Sequence, residues 1–367
     1  MQVVQDTNLT QGQTHVSQPL RCLFVGMGFI GTHMHKFLST KPWYVPAAAV
    51  DVRDTALSAA QTTLSLPDNA LYKNLDEALA RSGANVAFIN TPSELHFSQA
   101  KAALNAGLHV LIAKPITNSY EQAVELVQLA GQKGVTVSVG QQIRYNRHYQ
   151  ALTRFVEAGQ LGSIEVAWFM NSKPRPNPAN LARFEQPTLY ENACHHFDTF
   201  LGVFGDPQPD WIVCDGFIPS WSPYIGPCMV NALIQFTPTT PGGKPLHMSY
   251  HGGFSSRAPM YEFRLEGSDG ALNCHGLHLS NDIMRYEIAP ALGNFAPAAV
   301  DEGIPAQNPF LPFFDIWHNY VTGGKEPPFS GRNNLKTFAM LTAAIESTQT
   351  GQRIEIAGNP RFAGAFA

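Results

Sequence analysis

The sequence has few of the features that mark secreted, membrane-embedded or nucleic-acid-binding proteins. No apolar run reaches the roughly 18 residues that a membrane helix requires. The five cysteines are scattered and include no C-x-x-C pair, which argues against a disulfide framework and a structural zinc site. The formal net charge is −4, with no basic stripe for a polyanion. We therefore expect a cytoplasmic protein without membrane, nucleic-acid or metal partners.

The length of the chain predicts more than one domain. Its 367 residues exceed what a single hydrophobic core usually organises. Residues 1–18 are rich in Gln, Thr and Ser and lack both the apolar segment and the twin arginines of export signals, so we expect a flexible tail. We expect a first domain over residues 19–142 and a second over residues 143–367.

The first domain opens with an apolar run followed by closely spaced glycines. In LRCLFVGMGFIGTHMHKFL (20–38), Gly26, Gly28 and Gly31 separate a predicted strand from a predicted helix. Glycines at this spacing allow a tight turn, close approach of the backbone to a pyrophosphate, and close packing of helix on strand. The phosphates would then lie at the amino terminus of the helix. An ordinary glycine-rich loop can show the same spacing. The segments that follow therefore determine whether this turn belongs to a dinucleotide-binding fold.

The next predicted strand ends in an acidic residue at the position that a dinucleotide fold requires. Asp51 follows Gly31 by twenty residues. A carboxylate there accepts hydrogen bonds from the ribose hydroxyls and repels a 2′-phosphate, which favours NAD over NADP. Arg53 leaves NADP possible, since an arginine beside the adenosine can accommodate that phosphate.

Strands and helices then alternate, with strands at 85–90, 108–113 and 135–140 and helices at 93–107 and 118–134. This order predicts a parallel, doubly wound Rossmann sheet covered on both faces. Ligands of such sheets bind beyond the carboxyl ends of the strands. The candidate cofactor-binding residues are Gly26, Gly28, Phe29, Ile30, Gly31, Asp51, Arg53, Asn90, Thr91, Pro92, His96, Ala113, Lys114 and Gln141.

The second part of the chain has a different pattern. A connecting helix over 143–162 is followed by six longer alternating segments between residues 163 and 276, which predict a mostly antiparallel sheet. One helix, near 189–204, interrupts them, and the Pro-rich segment 172–187 predicts a long loop of the kind that covers a site. We therefore expect an α/β protein whose second domain is α+β.

The helix near 189–204 contains the peptide YENACHHFD. At helical spacing Glu191, His195 and Asp198 share one face, whereas His196 points elsewhere and is interpreted as packing. The shared face could be solvated, could hold a structural His–carboxylate pair, or could be an acid/base site. A metal site is the weakest interpretation because no H-E-x-x-H is present.

Lys114 favours the acid/base interpretation. It ends a predicted strand of the parallel sheet and precedes a proline. A partly buried lysine beside an oxidised nicotinamide is suited to act as a general base, and His195 would face it across the cofactor. A solvated surface lysine is the alternative.

Several segments in this order resemble the Gfo/Idh/MocA oxidoreductases, over roughly residues 20–355. VGMGFIG resembles the dinucleotide loop of the family, NTPSELHFSQAKAALNAGLHVLIAKP its T-P-x-x-x-H through E-K-P segment, and ENACHHFD its H-x-x-D helix. SGRNNLKTFAMLTAAIESTQTGQ (330–352) is similar to its closing helix.

This resemblance implies hydride transfer between nicotinamide C4 and a hydroxyl-bearing carbon of a sugar, sugar acid or cyclitol. Lys114 would be the catalytic lysine, His195 would bind the reacting oxygen, and Glu191 would replace an aspartate that orients the substrate. Ala113 departs from the family pattern, because a glutamate usually precedes the lysine. The family also includes NAD-dependent glycosidases with transient oxidation and non-catalytic dinucleotide-sensing regulators, which remain alternatives.

The substrate itself is not predicted by the sequence. Candidate substrate-binding residues are Lys114, Arg144, Tyr145, Trp168, Glu191 and His195, and further residues in the same segments are Arg147, Asn171, Lys173 and Arg183. Arginine or lysine there would suit a carboxylate or phosphate on the sugar, although each could equally be a solvated loop charge. The resemblance suggests a homodimer or homotetramer, with the exposed face of the second sheet as the interface.

Overall fold

The structure, a computed structural model, describes residues 19–177, 184–276 and 284–366. The expected tail over residues 1–18 and the candidate Arg183 lie outside these ranges. Two β-sheets organise the described chain, one of six strands and one of nine. None of the helices described is both long and apolar enough to cross a membrane.

The first sheet is fully parallel and confirms the predicted Rossmann arrangement. Its strands and helices are β1 (Leu20–Val25), α1 (Phe29–Leu38), β2 (Tyr44–Val50), α2 (Asp54–Leu64), β3 (Leu71–Tyr72), α3 (Leu75–Arg81), β4 (Val86–Ile89), α4 (His96–Asn105), β5 (His109–Ile112), α5 (Tyr120–Lys133) and β6 (Val137–Val139). The strand order is β3-β2-β1-β4-β5-β6. Every residue of β4 is buried, as in a parallel sheet covered on both faces.

The second sheet is mixed and mostly antiparallel, as predicted. The elements from residue 147 onward are α6 (Arg147–Glu157), β7 (Ile164–Ser172), α7 (Cys194–Val203), β8 (Pro209–Phe217), β9 (Met229–Phe236), β10 (Leu246–Gly253), β11 (Met260–Gly267), β12 (Gly270–Gly276), β13 (Met284–Pro290), β14 (Ala296–Ala298), α8 (Phe310–Val321), α9 (Gly331–Thr350) and β15 (Ile354–Glu355). The strand order is β14-β13-β12-β11-β7-β10-β9-β8-β15, and β7 and β10 are its parallel pair.

Helix α7 packs against one face of this sheet. Phe169 of β7 and Tyr250 of β10 stack with their ring centroids 5.7 Å apart, and both rings contact Phe200 of α7. Successive side chains of a strand point to opposite faces, so Trp168 points away from α7. Within the described part of the chain, the sheet thus presents one face to α7 and exposes side chains such as Trp168 and Leu233 on the other, here called its open face.

The last two helices return to the first sheet. Trp317 of α8 packs against Phe88 of β4 with ring centroids 5.3 Å apart, and Phe310 stacks on Phe37 of α1 at 5.5 Å. The backbone N–H of Val139 donates to the carbonyl of Phe329, just before α9, at 2.9 Å. The core of the first sheet is therefore completed by residues beyond 300. Helix α8 was not predicted, although its buried aromatic residues recur at helical spacing.

Candidate active site

The three glycines of the first turn have three different physical roles. Gly26 adopts φ +88°, and a Cβ there would lie 2.8 Å from the carbonyl oxygen of Asn90. A Cβ on Gly31 would lie 2.5 Å from the carbonyl oxygen of Gly26, so the first turn of α1 packs directly on the loop. A Cβ on Gly28 would meet no atom within 4 Å. Gly28 therefore exposes bare backbone toward open space, where a ligand can approach closely.

A cavity of about 600 Å³ lies at this carboxyl edge of the parallel sheet. Two observations fit a dinucleotide there. No described side chain caps the amino terminus of α1, which leaves backbone N–H groups for an anion. Both polar atoms of the buried Asn90 amide lack a partner among the described residues. The predicted cofactor-binding residues that line this cavity are Gly26, Gly28, Phe29, Ile30, Asp51, Arg53, Asn90, Thr91 and Pro92.

Asp51 holds the end of β2 against the glycine loop. Its carboxylate accepts from the backbone N–H of Met27 at 3.1 Å and from Nε and Nη2 of Arg53, each at 3.1 Å. Burial raises the pKa of Asp51, but the hydrogen bonds from Arg53 and Met27 outweigh this and hold the pKa below its usual value. Arg53 is therefore engaged by Asp51, while its side chain remains largely exposed.

His96 connects the ends of two strands and does not line the dinucleotide cavity. Its Nδ1 lies 2.8 Å from the carbonyl oxygen of Pro115, and its Nε2 lies 2.9 Å from that of Thr91. The buried ring thus joins the loop after β4 to the loop after β5. Ala113 continues the strand pairing, with its N–H donating to the Ile89 carbonyl at 2.8 Å. We conclude that His96 positions the backbone around Lys114.

Lys114 reaches from the end of β5 to the turn that precedes α7. Its Nζ donates to the carboxylate of Glu191 and, at 3.0 Å, to the backbone carbonyl of the same residue. The other carboxylate oxygen of Glu191 lies 3.4 Å from Nη1 of Arg175. Burial raises the pKa of Glu191, but Lys114 and Arg175 outweigh it and hold the pKa below its usual value. An ionised carboxylate therefore sits between two cations.

His195 is held by Gln141 in a defined tautomer. Nε2 of Gln141 donates to the carbonyl of Cys194 at 3.2 Å, so Oε1 faces His195 Nδ1 at 2.8 Å and must accept. The imidazole therefore carries its proton on Nδ1 and keeps a lone pair on Nε2. Burial, together with the charges of Lys114, His196 and Lys173, lowers the pKa of His195 well below its usual value. The ring is neutral at pH 7.

The other two residues of the predicted helix face, Glu191 and Asp198, and the neighbouring His196 have three different environments. Residues 189–193 form a π-helical turn before α7, so Glu191 does not follow the expected α-helical spacing. Asp198 is buried and pairs with Arg144, whose Nε and Nη2 donate to the carboxylate at 3.0 and 2.9 Å. His196 packs on Phe169 with ring centroids 4.7 Å apart, as expected.

Three candidate substrate residues lie elsewhere, which corrects the sequence-based expectation. Arg144 is buried, and its guanidinium is engaged by Asp198 as an internal counter-ion. Tyr145 packs edge-on against Phe329. Trp168 lies on the open face of the second sheet, on the side opposite α7, and is 39% exposed. Sequence position alone could not distinguish these side chains from those that reach the site, because the face of a strand and the partner of a charge depend on packing.

A second, smaller cavity of about 100 Å³ adjoins the first at Thr91. Lys114 and Glu191 line it, together with His96. Beyond Glu191 lies Arg175, in the loop after β7, which sequence reasoning did not single out. Its only sequence signal is its place in the predicted covering loop. No group of three metal-ligating side chains is found in the described ranges.

Two family descriptions match nearly the whole chain. Residues 20–141 match the Gfo/Idh/MocA oxidoreductase family with an NAD-binding Rossmann fold, and residues 154–356 match its C-terminal α/β domain. An uncharacterised oxidoreductase of Schizosaccharomyces pombe, C115.03, is 27% identical over 52% of this chain and 53% of its own length. The chain thus spans about half the length of such relatives.

Longer matches have named activities. The scyllo-inositol 2-dehydrogenase (NADP(+)) IolW of Bacillus subtilis is 29% identical over 78% of this chain and 83% of its own length. Among solved structures, levoglucosan dehydrogenase in complex with NADH and levoglucosan superposes with a TM-score of 0.76 at 16% identity, covering 93% of this chain and 100% of that one. The likeness between the structures shows the shared fold, and the two family matches show that the chain belongs to the Gfo/Idh/MocA oxidoreductase family, with an NAD-binding Rossmann domain at its amino-terminal end.

Proposed function

We propose that the protein transfers a hydride between a nicotinamide cofactor and a hydroxyl-bearing carbon of a sugar, sugar acid or cyclitol. The observation that carries this proposal is the contact of Lys114 with Glu191, one turn before His195. This contact joins a lysine of the parallel sheet to the turn that leads into the helix of His195, and both contacting residues line the small cavity next to the dinucleotide cavity. The named activity of the inositol dehydrogenase relative supports a polyol as substrate.

In this proposal the dinucleotide lies along the glycine loop, with its phosphates near Gly28 and the amino terminus of α1. Asn90 offers its unpartnered amide to the same ligand. Asp51 binds the adenosine ribose and favours NAD, and Arg53 is available to a 2′-phosphate if it leaves Asp51. When bound, the nicotinamide ring accepts or supplies the hydride.

The residues of this chain would handle the proton and the orientation of the substrate. Nε2 of His195 accepts a hydrogen bond from the reacting hydroxyl, because its proton is on Nδ1. The hydroxyl proton passes along this hydrogen bond to His195 as the hydride leaves the carbon, Lys114 donates a hydrogen bond to the same oxygen, and Glu191 orients Lys114 and the substrate. General acid/base assistance of this kind contributes about 10²- to 10⁴-fold to the rate.

A Lys114→Met variant tests this assignment. We expect it to lower kcat about 10²- to 10⁴-fold, measured by the absorbance of reduced nicotinamide with a panel of sugars, sugar acids and inositols. Binding of NADH, followed by its fluorescence, should be retained. Lys101→Met is the matched control, since Lys101 forms an exposed pair with Glu125. Equal activity in both variants would refute the role of Lys114, and substrate cleavage without net cofactor turnover would favour a glycosidase.

We also propose a cytoplasmic location and assembly into a homodimer or homotetramer. The open face of the second sheet supports the latter proposal, because it exposes Trp168 of β7 and Leu233 of β9 on either side of Ser249 of β10. Sedimentation of the wild type and of Leu233→Glu measures this assembly directly.

A further inference from the structure

The loop that follows β7 carries two cations, Lys173 and Arg175, and Arg175 contacts the carboxylate oxygen of Glu191 that Lys114 does not. The backbone N–H of Lys173 donates to the Gly253 carbonyl, and that of Arg175 donates to the Phe254 carbonyl, both at 2.8 Å. The guanidinium of Arg175 also lies 4.6 Å from the centre of the Phe254 ring. These contacts fix the loop on the end of β10, so Lys173 and Arg175 project from an ordered segment.

The charges around Glu191 do not balance. One oxygen of its carboxylate contacts Lys114 and the other contacts Arg175, so a single negative charge is shared between two cations. Lys173 adds a third positive charge, and no ion pair at Lys173 is present among the described residues. With His195 neutral, the cluster carries an excess of positive charge.

The charged form of Lys173 is destabilised at this position. Burial, and next the neighbouring charge of Arg175, lower the pKa of Lys173 to about 8. The amide of Asn192, next to Glu191, donates to Oδ1 of Asn171 at 3.2 Å, so the end of β7 that leads into Lys173 lies against the turn of Glu191. A half-buried cation without a counter-ion is costly in a protein unless a ligand supplies the opposite charge.

We propose that the substrate carries an anionic group, a carboxylate or a phosphate, that is bound between Lys173 and Arg175 next to the reacting carbon. This inference rests on the proposed function and narrows its substrate class to acidic sugars or cyclitols. Arg175 offers a planar pair of donors to such a group, and Lys173 supplies a point charge. Release of the long 3.4 Å contact with Glu191 frees one guanidinium nitrogen for the ligand.

Matched ligands that differ only in charge test this proposal. D-glucuronate and D-galacturonate are compared with their neutral amides, and D-glucose 6-phosphate and myo-inositol 1-phosphate with the parent alcohols. Binding is measured by calorimetry in the presence of NADH, which needs no turnover, and turnover is measured separately with NAD+. We expect at least one acid to bind about 10- to 100-fold more tightly than its neutral counterpart, as expected for hydrogen bonds between charged groups. The carboxylate and phosphate arms identify which anion the site prefers.

Three variants and two controls assign the preference to residues. Lys173→Met and Arg175→Met should each abolish most of the preference, mainly through KM, and Lys173→Arg should restore part of it. Lys244→Met and Arg257→Met are the matched controls, because both residues are exposed and neither contacts Glu191. These controls should keep the preference of the wild type.

The outcomes separate this inference from the proposed function. Turnover of neutral polyols with no preference for acids overturns the anion site and leaves the dehydrogenase intact. Charge-selective binding without turnover of any ligand argues against the dehydrogenase and retains the anion site. Loss of kcat for neutral and acidic substrates alike in Lys173→Met, with unchanged binding, assigns Lys173 to proton transfer and overturns the inference.

Discussion

Lys114 and Glu191 form an ion pair that joins the end of β5 to the turn before α7. The resemblance to the family leads one to expect a carboxylate at position 113, directly before the lysine, where this chain has Ala113. In the structure the carboxylate comes instead from Glu191, whose backbone carbonyl also accepts a hydrogen bond from Lys114. Both departures from the family pattern therefore concern the surroundings of Lys114: position 113 supplies no carboxylate, and the carboxylate of Glu191 contacts the lysine directly.

This arrangement predicts a rescue. We expect Glu191→Gln to lower kcat/KM about 10- to 100-fold, because Lys114 loses a hydrogen bond between charged groups. Adding Ala113→Glu should recover part of that loss by returning a carboxylate to Lys114. Steady-state kinetics of the single and double variants measure both effects, with the exposed Glu157→Gln as control. An unchanged kcat/KM in Glu191→Gln would contradict the role of the pair.

Gln141 predicts a change in pH dependence. Because the pKa of His195 lies well below its usual value, its protonation should not limit kcat/KM of the wild type near pH 6.5. A carboxylate in Gln141→Glu would accept from Nδ1–H, stabilise the imidazolium and raise that pKa. On acidification, the activity of Gln141→Glu should therefore begin to fall at a higher pH than the activity of the wild type.

The pH profile of kcat/KM tests this prediction directly. Gln142→Glu, at the next position, is the matched control and should keep the profile of the wild type. Identical acid limbs in the two variants would show that Gln141 does not set the protonation of His195.

The buried pair of Arg144 and Asp198 predicts an effect on stability. Arg144→Met leaves an unpaired carboxylate in the interior and should lower the free energy of unfolding by about 3–5 kcal/mol. Adding Asp198→Leu should recover much of this loss, since apolar replacement of a whole buried pair is often neutral. Urea unfolding measures both variants. The exposed pair in Lys101→Met should cost less than about 1 kcal/mol, and a similarly small loss in Arg144→Met would contradict this assignment.

Asp51 and Arg53 predict how the cofactor preference is set. Asp51→Ser removes the carboxylate that repels a 2′-phosphate and frees Arg53 to bind it. We expect the ratio of kcat/KM for NADP+ over NAD+ to rise at least about tenfold, the size of one hydrogen bond to a charged group. Adding Arg53→Met should remove the gain in NADP+, and the exposed Asp54→Ser should leave the ratio unchanged. A ratio that is insensitive to Asp51 would place the discrimination elsewhere.

Local sequence patterns were sufficient for the scaffold. The spacing of Gly26, Gly28 and Gly31 depends on steric limits that act within a few residues, so it predicts the turn wherever the chain folds. The alternation of apolar strands with helices likewise predicted the parallel sheet, because periodicity reports which face of each element is buried. Helix α8 was not predicted, because its run of aromatic and β-branched residues is equally typical of a strand.

The environments of charged side chains required the folded chain. Arg144 and Lys173 look alike in sequence, each a basic residue near the end of a predicted element. Only packing shows that Arg144 meets Asp198 inside the protein, whereas Lys173 forms no ion pair with any described residue. The π-helical turn at 189–193 is likewise visible only in the folded chain. It separates Glu191 from the helix face that α-helical spacing assigns to it.

By itself the sequence determined the dinucleotide fold and the candidate pair Lys114 and His195, because backbone sterics and hydrophobic periodicity are local properties. The tertiary structure alone decided the partners: Glu191 for Lys114, Gln141 for His195, and Asp198 for Arg144. Electrostatic and hydrogen-bonding energies depend on distance and burial, and residues that are 54 to 77 positions apart acquire both only when the chain has folded.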